Sequence, residues 1–555
     1  MSKKVVIIGG VAGGASCAAR LRRLDEEAEI VLLERGAYIS YANCGLPYYI
    51  GGEITDKEEL TLQTPDSFHA RFAVDVRVRH EALSIDPDRW VVKVRDLANG
   101  SEYEETYDKL ILSPGAEPVR PPLPGIDDPR VFTLRTIPDT YRIHEHIKKA
   151  MPKKAVVVGG GFIGLEMAEN LVKAGLAVKV VELADHVIAP LDYDMACEVH
   201  RYLRSQGIDL LISQGVAAFH PSKQGLEVEL NNGHVIETDM VLMSVGVRPD
   251  TALAINAGLR LNPRNAIQVD EHMRTSVPNI YAVGDAVEVI HLVSQSPASI
   301  PLAGPANKQG RIAADHICGL DSRYKGSQGS SILKFFDMTV AVTGLNETAA
   351  KAAAIDYDAV LTTSFSHATY YPGAEGMSIK TLFEKKTGRI LGAQLVGFSG
   401  VDKRCDVMAT AIRAGMTAHD LTELELCYAP PFSSAKDPVN MVGFVIENLI
   451  NHKVRQFHWH EVEAARHDRG GLLLDVRTDG EYNRGHIPGA VHIPLDSLRE
   501  RLSELNHSKV LYVYCQSGLR SYIACRILSQ NGFECRHLAG GYRVYEIVMS
   551  DRDVS

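Results

Sequence analysis

The sequence predicts an α/β protein of several domains, and three observations lead to this fold class. At 555 residues the chain exceeds the size of a single hydrophobic core. Two glycine-rich segments, "VVIIGGVAGG" and "AVVVGGGFIG", each follow an apolar strand and open a helix. A third strand–loop–helix pattern, "LYVYCQSGLRSYIACRIL", lies near the C-terminal end. We therefore expect two nested Rossmann-like dinucleotide-binding domains, followed by further units of which the last is again α/β.

The first glycine turn has the pattern of a pyrophosphate site. Backbone N–H groups of such a turn and the N-terminus of the following helix face an anion. Val11 stands where the regular pattern has its second glycine, between Gly9 and Gly14. The next strand, "EIVLLERG", ends in Glu34, which is placed to bind ribose hydroxyls. The turn therefore predicts a dinucleotide.

The second glycine turn is regular. Gly159, Gly161 and Gly164 satisfy the pattern, and Glu182 ends the following strand. An acidic side chain at that position accepts hydrogen bonds from an unmodified ribose and repels a 2′-phosphate, so we expect NADH rather than NADPH. Two dinucleotide folds, one inserted in the other, indicate a flavin reductase that takes hydride from a nicotinamide, with FAD on the first turn.

Composition excludes several classes of protein. The net charge of −10 argues against a nucleic-acid binder. No apolar run approaches the ~20 residues that span a bilayer, and the N-terminus shows no signal-peptide pattern. Nine cysteines without CxxC or CxxxxC spacing predict reduced thiols and neither disulfides nor a metal site. We expect a cytoplasmic protein that binds neither nucleic acid nor membrane.

Two further strings resemble flavin motifs of the disulfide-reductase superfamily. "TSVPNIYAVGDAVE" is similar to its second flavin motif, in which the aspartate, here Asp285, contacts the ribityl chain. "DKLILSPGAEP" resembles its crossover segment, which implies that Ser113, Pro114 and Gly115 lie near the flavin.

Cys44 is the predicted redox cysteine of this domain. It stands alone in "SYANCGLPYYIGG", so it can store electrons only by bonding to an external group. The string resembles the single-cysteine branch that contains CoA-disulfide reductases, NADH oxidases and NADH peroxidases. Peroxidases have a histidine where this chain has Ala12, which weakens that alternative. We expect Cys44 to react as a thiolate.

The same resemblance implies a coenzyme A cleft. Arg20 and Arg23 lie on one face of the first helix, with Ser16 one turn earlier, and a solvated helix face is the alternative interpretation. The full set of expected CoA-binding residues is Ser16, Arg20, Arg23, Ser40, Asn43, Arg71 and Lys308.

Two tyrosine-bearing strings, "SHATYYPGAEGMSIK" and "LELCYAPPFSSAKDPVNMVG", resemble the interface domain of these reductases. In the family a tyrosine from each string reaches the partner's cysteine, which implies a homodimer with catalytic Tyr370 (or its neighbour Tyr371) and Tyr428. Aromatic packing at an interface is the alternative.

The C-terminal unit resembles a rhodanese domain. "GLLLDVRTDGEYNRGHIPGAVHIPLDSL" matches its signature, and Cys515 is followed five residues later by Arg520. Loop amides and a helix N-terminus after such a cysteine hold an anion. Related phosphatase and arsenate-reductase folds use C-x5-R, whereas the shorter C-x4-R found here goes with transfer of a sulfur atom.

The remaining cofactor assignments follow from the same resemblance. The expected FAD-binding residues are Gly9, Gly10, Val11, Ala12, Gly14, Glu34, Arg35, Asn43, Val78, Ser113, Pro114, Gly115, Gly284, Asp285, Ala303 and Phe432. The expected NAD-binding residues are Gly159, Gly161, Phe162, Ile163, Gly164, Glu182 and Gly246. The predicted domains are an FAD domain (1–150 and 245–325), an NAD domain (151–244), an α+β dimerisation domain (328–447), a linker (448–458) and the rhodanese domain (459–555).

The whole chain thus resembles CoA-disulfide reductase–rhodanese fusions, including NADH-dependent persulfide reductases. We expect an enzyme that reduces CoA persulfide or polysulfide through Cys44, releases hydrosulfide, and transfers sulfane sulfur through Cys515. The alternatives are a CoA-disulfide reductase that maintains the thiol pool, an NADH oxidase and a sulfur-carrier protein. The sequence leaves open which sulfur compound is the substrate and whether CoA stays bound.

Overall fold

The computed structural model describes residues 3–223 and 225–554. Its strands are β1 (Lys4–Ile8), β2 (Glu29–Glu34), β3 (Asp75–Val78), β4 (His80–Asp86), β5 (Val91–Asp96), β6 (Glu102–Thr106), β7 (Lys109–Leu112), β8 (Ala116–Pro118), β9 (Val131–Thr133), β10 (Lys154–Val158), β11 (Ala177–Val181), β12 (Asp209–Leu211), β13 (Val216–Ser222), β14 (Gly225–Leu230), β15 (Val235–Thr238), β16 (Met240–Met243), β17 (Val247–Pro249), β18 (Ile280–Ala282), β19 (Val289–Ile290), β20 (Pro297–Ala298), β21 (Ser331–Phe335), β22 (Met338–Gly344), β23 (Tyr357–Phe365), β24 (Gly376–Glu384), β25 (Ile390–Gly397), β26 (Gln456–Phe457), β27 (Gly471–Asp475), β28 (Val491–His492), β29 (Val510–Tyr514) and β30 (Cys535–Leu538).

Its α-helices are α1 (Ala12–Leu24), α2 (Leu46–Ile50), α3 (Pro65–Phe72), α4 (Ile137–Ala150), α5 (Phe162–Lys173), α6 (Tyr193–Ser205), α7 (Ala252–Asn256), α8 (Ala303–Ile317), α9 (Glu347–Ala352), α10 (Val401–Ala414), α11 (Ala418–Glu423), α12 (Pro438–Ile450), α13 (Val462–His467), α14 (Asp479–Arg484), α15 (Leu519–Gln530) and α16 (Gly541–Val554). These elements form two compact units. Unit one comprises residues 3–183 and 214–329, and unit two comprises residues 184–213 and 330–554.

Unit one contains the first dinucleotide-type sheet, with strand order β18-β7-β1-β2-β3 and parallel pairing throughout. The central strand β1 is apolar and buried along almost its whole length, as expected of a parallel strand that is covered on both faces. Helices α1 and α8 pack closely because Gly310 faces the backbone oxygen of Gly13, where a Cβ would lie only 2.3 Å away.

The second dinucleotide-type fold of unit one repeats this arrangement. Strand β10 pairs in parallel with β11 on one side and β16 on the other, and β9 continues the sheet beyond β16. Helix α5 follows β10 directly after the glycine turn. Both predicted turns therefore lie at the carboxyl end of a strand that has parallel neighbours on both sides.

Unit two combines two sheets. An antiparallel sheet has the order β21-β22-β25-β24-β23, and a parallel sheet has the order β26-β30-β29-β27-β28. The loop after β29 carries Cys515 and leads into α15. The predicted fold class, α/β with an α+β domain and a C-terminal α/β domain, is confirmed, whereas the predicted domain boundaries stay predictions.

In the second turn, close packing requires glycine at position 164 but not at position 161. A Cβ on Gly164 would lie 2.0 Å from the backbone oxygen of Gly159, whereas a Cβ on Gly161 would meet nothing within 4 Å. We expect Gly164→Ala to lower the free energy of unfolding by about 1–3 kcal/mol. Gly161→Ala should cost less than about 1 kcal/mol, since it loses only a favourable N-cap residue. Urea titration followed by circular dichroism measures both, and equal losses would contradict the steric argument.

Candidate functional site

The first glycine turn is shaped by close backbone approaches. Gly9 has a φ of +100°, and a Cβ there would lie 2.1 Å from the backbone oxygen of Ser113. A Cβ on Gly14 would lie 1.9 Å from the oxygen of Gly9. Val11, which replaces the usual second glycine, has a φ of −103°, so it does not lie in the left-handed region that favours glycine. The turn thus keeps the form of a pyrophosphate cradle and fits a dinucleotide.

An acidic side chain supports the backbone of each glycine turn. Glu34 accepts hydrogen bonds from the N–H groups of Gly10 at 2.9 Å and Gly36 at 2.7 Å. Glu182 accepts from the N–H of Gly160 at 2.6 Å. The predicted ribose ligands therefore also act as structural acceptors of their turns.

The second turn presents an open cradle. Gly159 has a φ of +107° and approaches the backbone oxygen of Ser244, from which a Cβ would lie 2.3 Å away. Ile163 is 42% exposed, Phe162 is half-buried, and Gly246 is exposed. The predicted NAD-binding residues therefore surround accessible space at the end of β10.

Two residues that the sequence analysis did not identify contact the predicted flavin motifs. Gln309 contacts the second flavin motif, and Arg135 contacts the crossover segment. The side-chain oxygen of Gln309 accepts from the N–H of Gly284 at 2.7 Å. Arg135 donates to the oxygen of Ala116 at 2.6 Å and lies against Gly115. Burial raises the pKa of Asp285, and Arg135 opposes that shift. No sequence motif pointed to Gln309 as the acceptor for Gly284 or to Arg135 as the cation near Asp285.

Cys44 lies in a short 3-10 turn, Asn43–Gly45, directly before α2. Burial raises the pKa of its thiol, and the carboxylates of Glu166 and Asp285 raise it further. The protein groups near Cys44 therefore favour the thiol, although its side chain is partly exposed, and the thiolate expected from the sequence stays a prediction. Glu166 is half-buried and accepts from the hydroxyl of Tyr48 at 3.4 Å. Burial raises the pKa of Glu166 to about 7.

The predicted CoA-binding residues are divided between paired and exposed side chains. Ser16 donates to the side-chain oxygen of Asn307 at 2.7 Å, and Arg20 forms an ion pair with Asp315 at 2.7 Å. Ser40 has a φ of +44°, and its N–H donates to the oxygen of Gly10 at 2.8 Å. The exposed members of the predicted set are Arg23, Asn43, Arg71 and Lys308. Helices α1 and α8 bring Ser16, Arg20 and Lys308 to one region of unit one.

Three predicted FAD-binding residues lie at the margins of the first sheet. Arg35 pairs with Glu117 at 3.1 Å and Asp250 at 3.0 Å. Val78 ends β3, opposite Glu34 in the register of β2 and β3. Ala303 is the exposed first residue of α8.

Unit two holds the predicted tyrosines. The hydroxyl oxygens of Tyr370 and Tyr428 lie 2.9 Å apart, although these side chains are 73% and 48% exposed. This hydrogen bond raises the pKa of Tyr370. Tyr371 instead packs its ring against His367, with ring centroids 5.6 Å apart. Phe432, the predicted FAD-binding residue of this unit, is exposed.

Cys515 lies in a cradle at the end of β29. Its Sγ accepts from the N–H of Gly518 at 3.1 Å and lies 3.5 Å from Oγ of Ser521. Gly518 has a φ of +109°, a conformation that turns its amide towards the sulfur. The helix α15 begins at the next residue, so its N-terminus also faces the cysteine. An N–H donor and a helix N-terminus therefore face the sulfur of Cys515.

A cavity of about 540 Å³ opens beside this cradle. Its lining residues are Arg477, Glu481, Arg484, Gly485, Gln516, Tyr542 and Glu546. Arg520, which the sequence predicts to be catalytic, is held by Glu481 through two hydrogen bonds of 2.7 and 2.6 Å. This ion pair and the Thr478 N–H lower the pKa of Glu481 to about 2.

Three family models match the chain. Residues 3–310 match the pyridine nucleotide-disulphide oxidoreductase model, residues 330–438 match the dimerisation domain of that family, and residues 458–547 match the rhodanese-like domain. The chain therefore belongs to the pyridine nucleotide-disulphide oxidoreductase family and is an oxidoreductase with a dimerisation domain and a rhodanese-like domain. The family implies FAD and a nicotinamide dinucleotide as cofactors.

Three individual proteins are similar to this chain over most of its length. The chain is similar to the reduced form of Bacillus anthracis CoADR-RHD, with 48% identity and a TM-score of 0.97 over 100% of this chain and 99% of that chain. A NAD-dependent persulfide reductase from A. fulgidus is 38% identical, with a TM-score of 0.91 over 98% of this chain and 100% of that chain. A coenzyme A disulfide reductase of Staphylococcus aureus (strain bovine RF122 / ET3-1) is 37% identical over 442 residues, which are 80% of this chain and 99% of that protein. The resemblance to reductase–rhodanese fusions is confirmed.

Among the helices of residues 3–223 and 225–554, none has both the length and the apolar character needed to cross a bilayer.

The position of Glu166 predicts a pH-dependent reactivity of Cys44. With a pKa of about 7, Glu166 is mostly neutral at pH 6 and charged at pH 8.5, so only at the higher pH does it disfavour the Cys44 thiolate. We expect Glu166→Gln to accelerate alkylation of Cys44 by iodoacetamide about two- to tenfold at pH 8.5 and to leave the rate nearly unchanged at pH 6. Mass spectrometry of the Cys44 peptide measures the rate.

The exposed Cys427 in the same samples is an internal reference, because its rate should not respond to the substitution. Equal acceleration of Cys44 at both pH values would mean that the substitution opens the site rather than removing a charge.

Proposed function

We propose that this protein is an FAD-dependent, NADH-driven reductase of coenzyme A persulfide or polysulfide. It releases hydrosulfide through Cys44, and Cys515 transfers sulfane sulfur. The observation that carries the proposal is the presence of two different cysteine sites on one chain. Cys44 follows Ser40, whose N–H donates to Gly10 of the first dinucleotide turn, and the sulfur of Cys515 accepts from the N–H of Gly518. A disulfide-reductase site and a sulfur-transfer site in one chain indicate a substrate with a sulfur–sulfur bond, on which both cysteines can act.

Cys44 performs a thiol–disulfide exchange in this proposal. Its sulfur attacks the carbon-bound sulfur of the persulfide, the S–S bond of the persulfide breaks, and hydrosulfide leaves with the electron pair of that bond. Cys44 is then joined to CoA in a mixed disulfide. FAD, when bound on the first turn and supplied by NADH, provides the electron pair that returns Cys44 to its reduced form.

When Cys44 attacks, its thiol proton must pass to a nearby protein group. Because Cys44 is a thiol by preference and Glu166 has a pKa of about 7, the Glu166 carboxylate can hold the proton that Cys44 gives up on attack. In a homodimer, the hydrogen-bonded hydroxyls of Tyr370 and Tyr428 supply a second, exposed proton source. We assign these three side chains to proton handling and Cys44 to bond formation.

The CoA moiety requires cations and hydrogen-bond donors near Cys44. The exposed Arg23, Arg71 and Lys308 provide charges for its phosphates, and Ser40 lies within four residues of the cysteine. Arg20 would have to share its guanidinium with Asp315. The long pantetheine arm of CoA would carry sulfur between Cys515 and Cys44.

A second candidate function is reduction of CoA disulfide, which the Staphylococcus aureus relative favours because it aligns with 80% of this chain and its printed name states that activity. The chemistry at Cys44 is the same, and only the leaving group differs. The ratio of kcat/KM for CoA persulfide to that for CoA disulfide distinguishes the two functions.

The central experiment uses Cys44→Ser and Cys515→Ser on two substrates. With NADH and preformed CoA persulfide, Cys44→Ser should lower hydrosulfide release on the order of 10³-fold or more, and Cys515→Ser should have little effect. With polysulfide and catalytic CoA, both variants should fail, because the rhodanese-like domain must first load the carrier. The absorption spectrum of FAD checks cofactor binding, and the exposed Cys427→Ser is the matched control.

Near-normal turnover of Cys44→Ser would overturn the proposal. An equal loss of Cys515→Ser on both substrates would mean that Cys515 takes part in every turnover, and no loss on either would mean that the two domains work separately.

The choice of nicotinamide cofactor depends on Glu182. Because a carboxylate at the end of β11 repels a 2′-phosphate, we expect kcat/KM for NADH to exceed that for NADPH more than about tenfold. Glu182→Gln removes the repulsion but keeps an acceptor for the Gly160 N–H, so it should narrow the preference without unfolding the turn. Steady-state kinetics with both cofactors test this, and equal efficiency of the unaltered protein with NADPH would contradict the assignment.

A further inference from the structure

The loop that carries Cys515 is fastened on its carbonyl side by the first turn of α16. The N–H of Tyr542 donates to the oxygen of Cys515 at 2.8 Å, and the N–H of Arg543 donates to the oxygen of Gln516 at 3.0 Å. Gly541 has a φ of +67°, and a Cβ there would lie 2.6 Å from the Cys515 oxygen. The guanidinium of Arg477 lies 4.0 Å above the ring of Tyr542. The loop is therefore held by backbone bonds, which a substitution of the Arg543 side chain leaves in place.

The side chain of Arg543 ties the same helix end to two other segments of unit two. Its guanidinium donates to both carboxylate oxygens of Glu198 on α6, each at 2.8 Å, and to Oγ of Ser378 on β24 at 2.7 Å. Ser378 in turn donates to Glu198 at 2.6 Å. Glu198 and Ser378 are 7% and 1% exposed, so this fork is shielded from competing water.

The far end of α16 is tied to α6 as well. Buried Asp551 accepts hydrogen bonds from Tyr193 and His200, each at 3.0 Å, and from Arg204. The N–H of Val187 donates to Nε2 of His200, and the Nδ1 of the same ring faces Asp551. The atoms of Cys197, His200 and Asp551 lie close enough to suggest a metal site, but both ring nitrogens of His200 are already engaged. The cluster acts as a second attachment point of α16.

Helix α16 also forms a wall of the cavity beside Cys515. Tyr542 and Glu546, one turn apart on this helix, both line it. An acceptor that enters the cavity meets a surface whose position is set by the attachments at the two ends of α16. A large acceptor depends on this wall more than a small one does.

We propose that Arg543 is a positioning residue for sulfur transfer to a large thiol acceptor such as coenzyme A, because its side chain holds the cavity wall formed by α16 against α6. The inference rests on the proposed sulfur-transfer function. In the step concerned, the acceptor thiolate attacks the outer sulfur of the Cys515 persulfide and forms a new S–S bond. The bond between that sulfur and Sγ of Cys515 breaks, and Cys515 leaves as a thiolate. The outer sulfur passes on without net oxidation or reduction.

The test measures sulfur transfer from thiosulfate or polysulfide to two acceptors, cyanide and coenzyme A, in the full-length protein without NADH. For Arg543→Gln we expect the KM for coenzyme A to rise about tenfold, whereas the kcat for cyanide should change less than about twofold. Arg543→Lys keeps the charge but not the fork, so it should recover only part of the affinity for coenzyme A. Arg469→Gln is the matched control, because Arg469 is an exposed arginine of the same domain.

Arg543→Gln leaves the buried Glu198 carboxylate without its cation, which can destabilise the protein. A second variant is therefore needed to distinguish this effect from a loss of positioning. Combining Arg543→Leu with Glu198→Leu removes both charges and the tie together, and it should give the same rise in KM for coenzyme A. An unchanged KM in both variants, or equal losses with cyanide and coenzyme A, would overturn the role of Arg543. Reduction of preformed CoA persulfide by NADH is measured separately. Its absence in the unaltered protein would refute the proposed reductase function and leave the acceptor comparison intact.

Discussion

One constraint of parallel sheets governs three segments of this protein: the two glycine turns and the loop that carries Cys515. Strand β1 lies between β2 and β7, β10 lies between β11 and β16, and β29 lies between β27 and β30. A strand enclosed in this way must leave the sheet through a loop and return along a helix, and the first N–H groups of that helix lack partners within it. The loop ends therefore favour negative charge, whether it is a pyrophosphate or a sulfur anion.

Different hydrogen-bond acceptors bind the N–H groups of these three loops. In the two glycine turns, Glu34 and Glu182 from the next strand accept turn N–H groups and leave room for a dinucleotide beside them. In the third loop the acceptor is the Cys515 sulfur itself, and the neighbouring Arg520 is neutralised by Glu481. The same backbone geometry thus binds a cofactor in unit one and carries a reactive atom in unit two.

The sequence predicted what short motifs encode and missed what distant residues bring together. The turns, Cys44 and the Cys515 loop were recognisable because their chemistry depends on neighbours in the chain. The departure at Val11 was visible in the sequence, but only the structure shows that its φ of −103° avoids the left-handed region that favours glycine. Glu166 and the pairing of Arg20 with Asp315 were not predictable, because they depend on how separate helices pack. The carboxylates of Glu166 and Asp285, which raise the pKa of the Cys44 thiol, were not predictable for the same reason, because they come from separate parts of the chain.

The attachment of α16 to α6 has a consequence for how such a fusion could arise. Glu198, His200 and Ser378 are buried under α16, and a charge left buried without its partner costs about 3–5 kcal/mol. An ancestral chain without the appended domain would have exposed this face to water, where these side chains would be hydrated. The fused chain has replaced that water with partners supplied by α16, so the charge of Glu198 on α6 now depends on Arg543 of the appended domain.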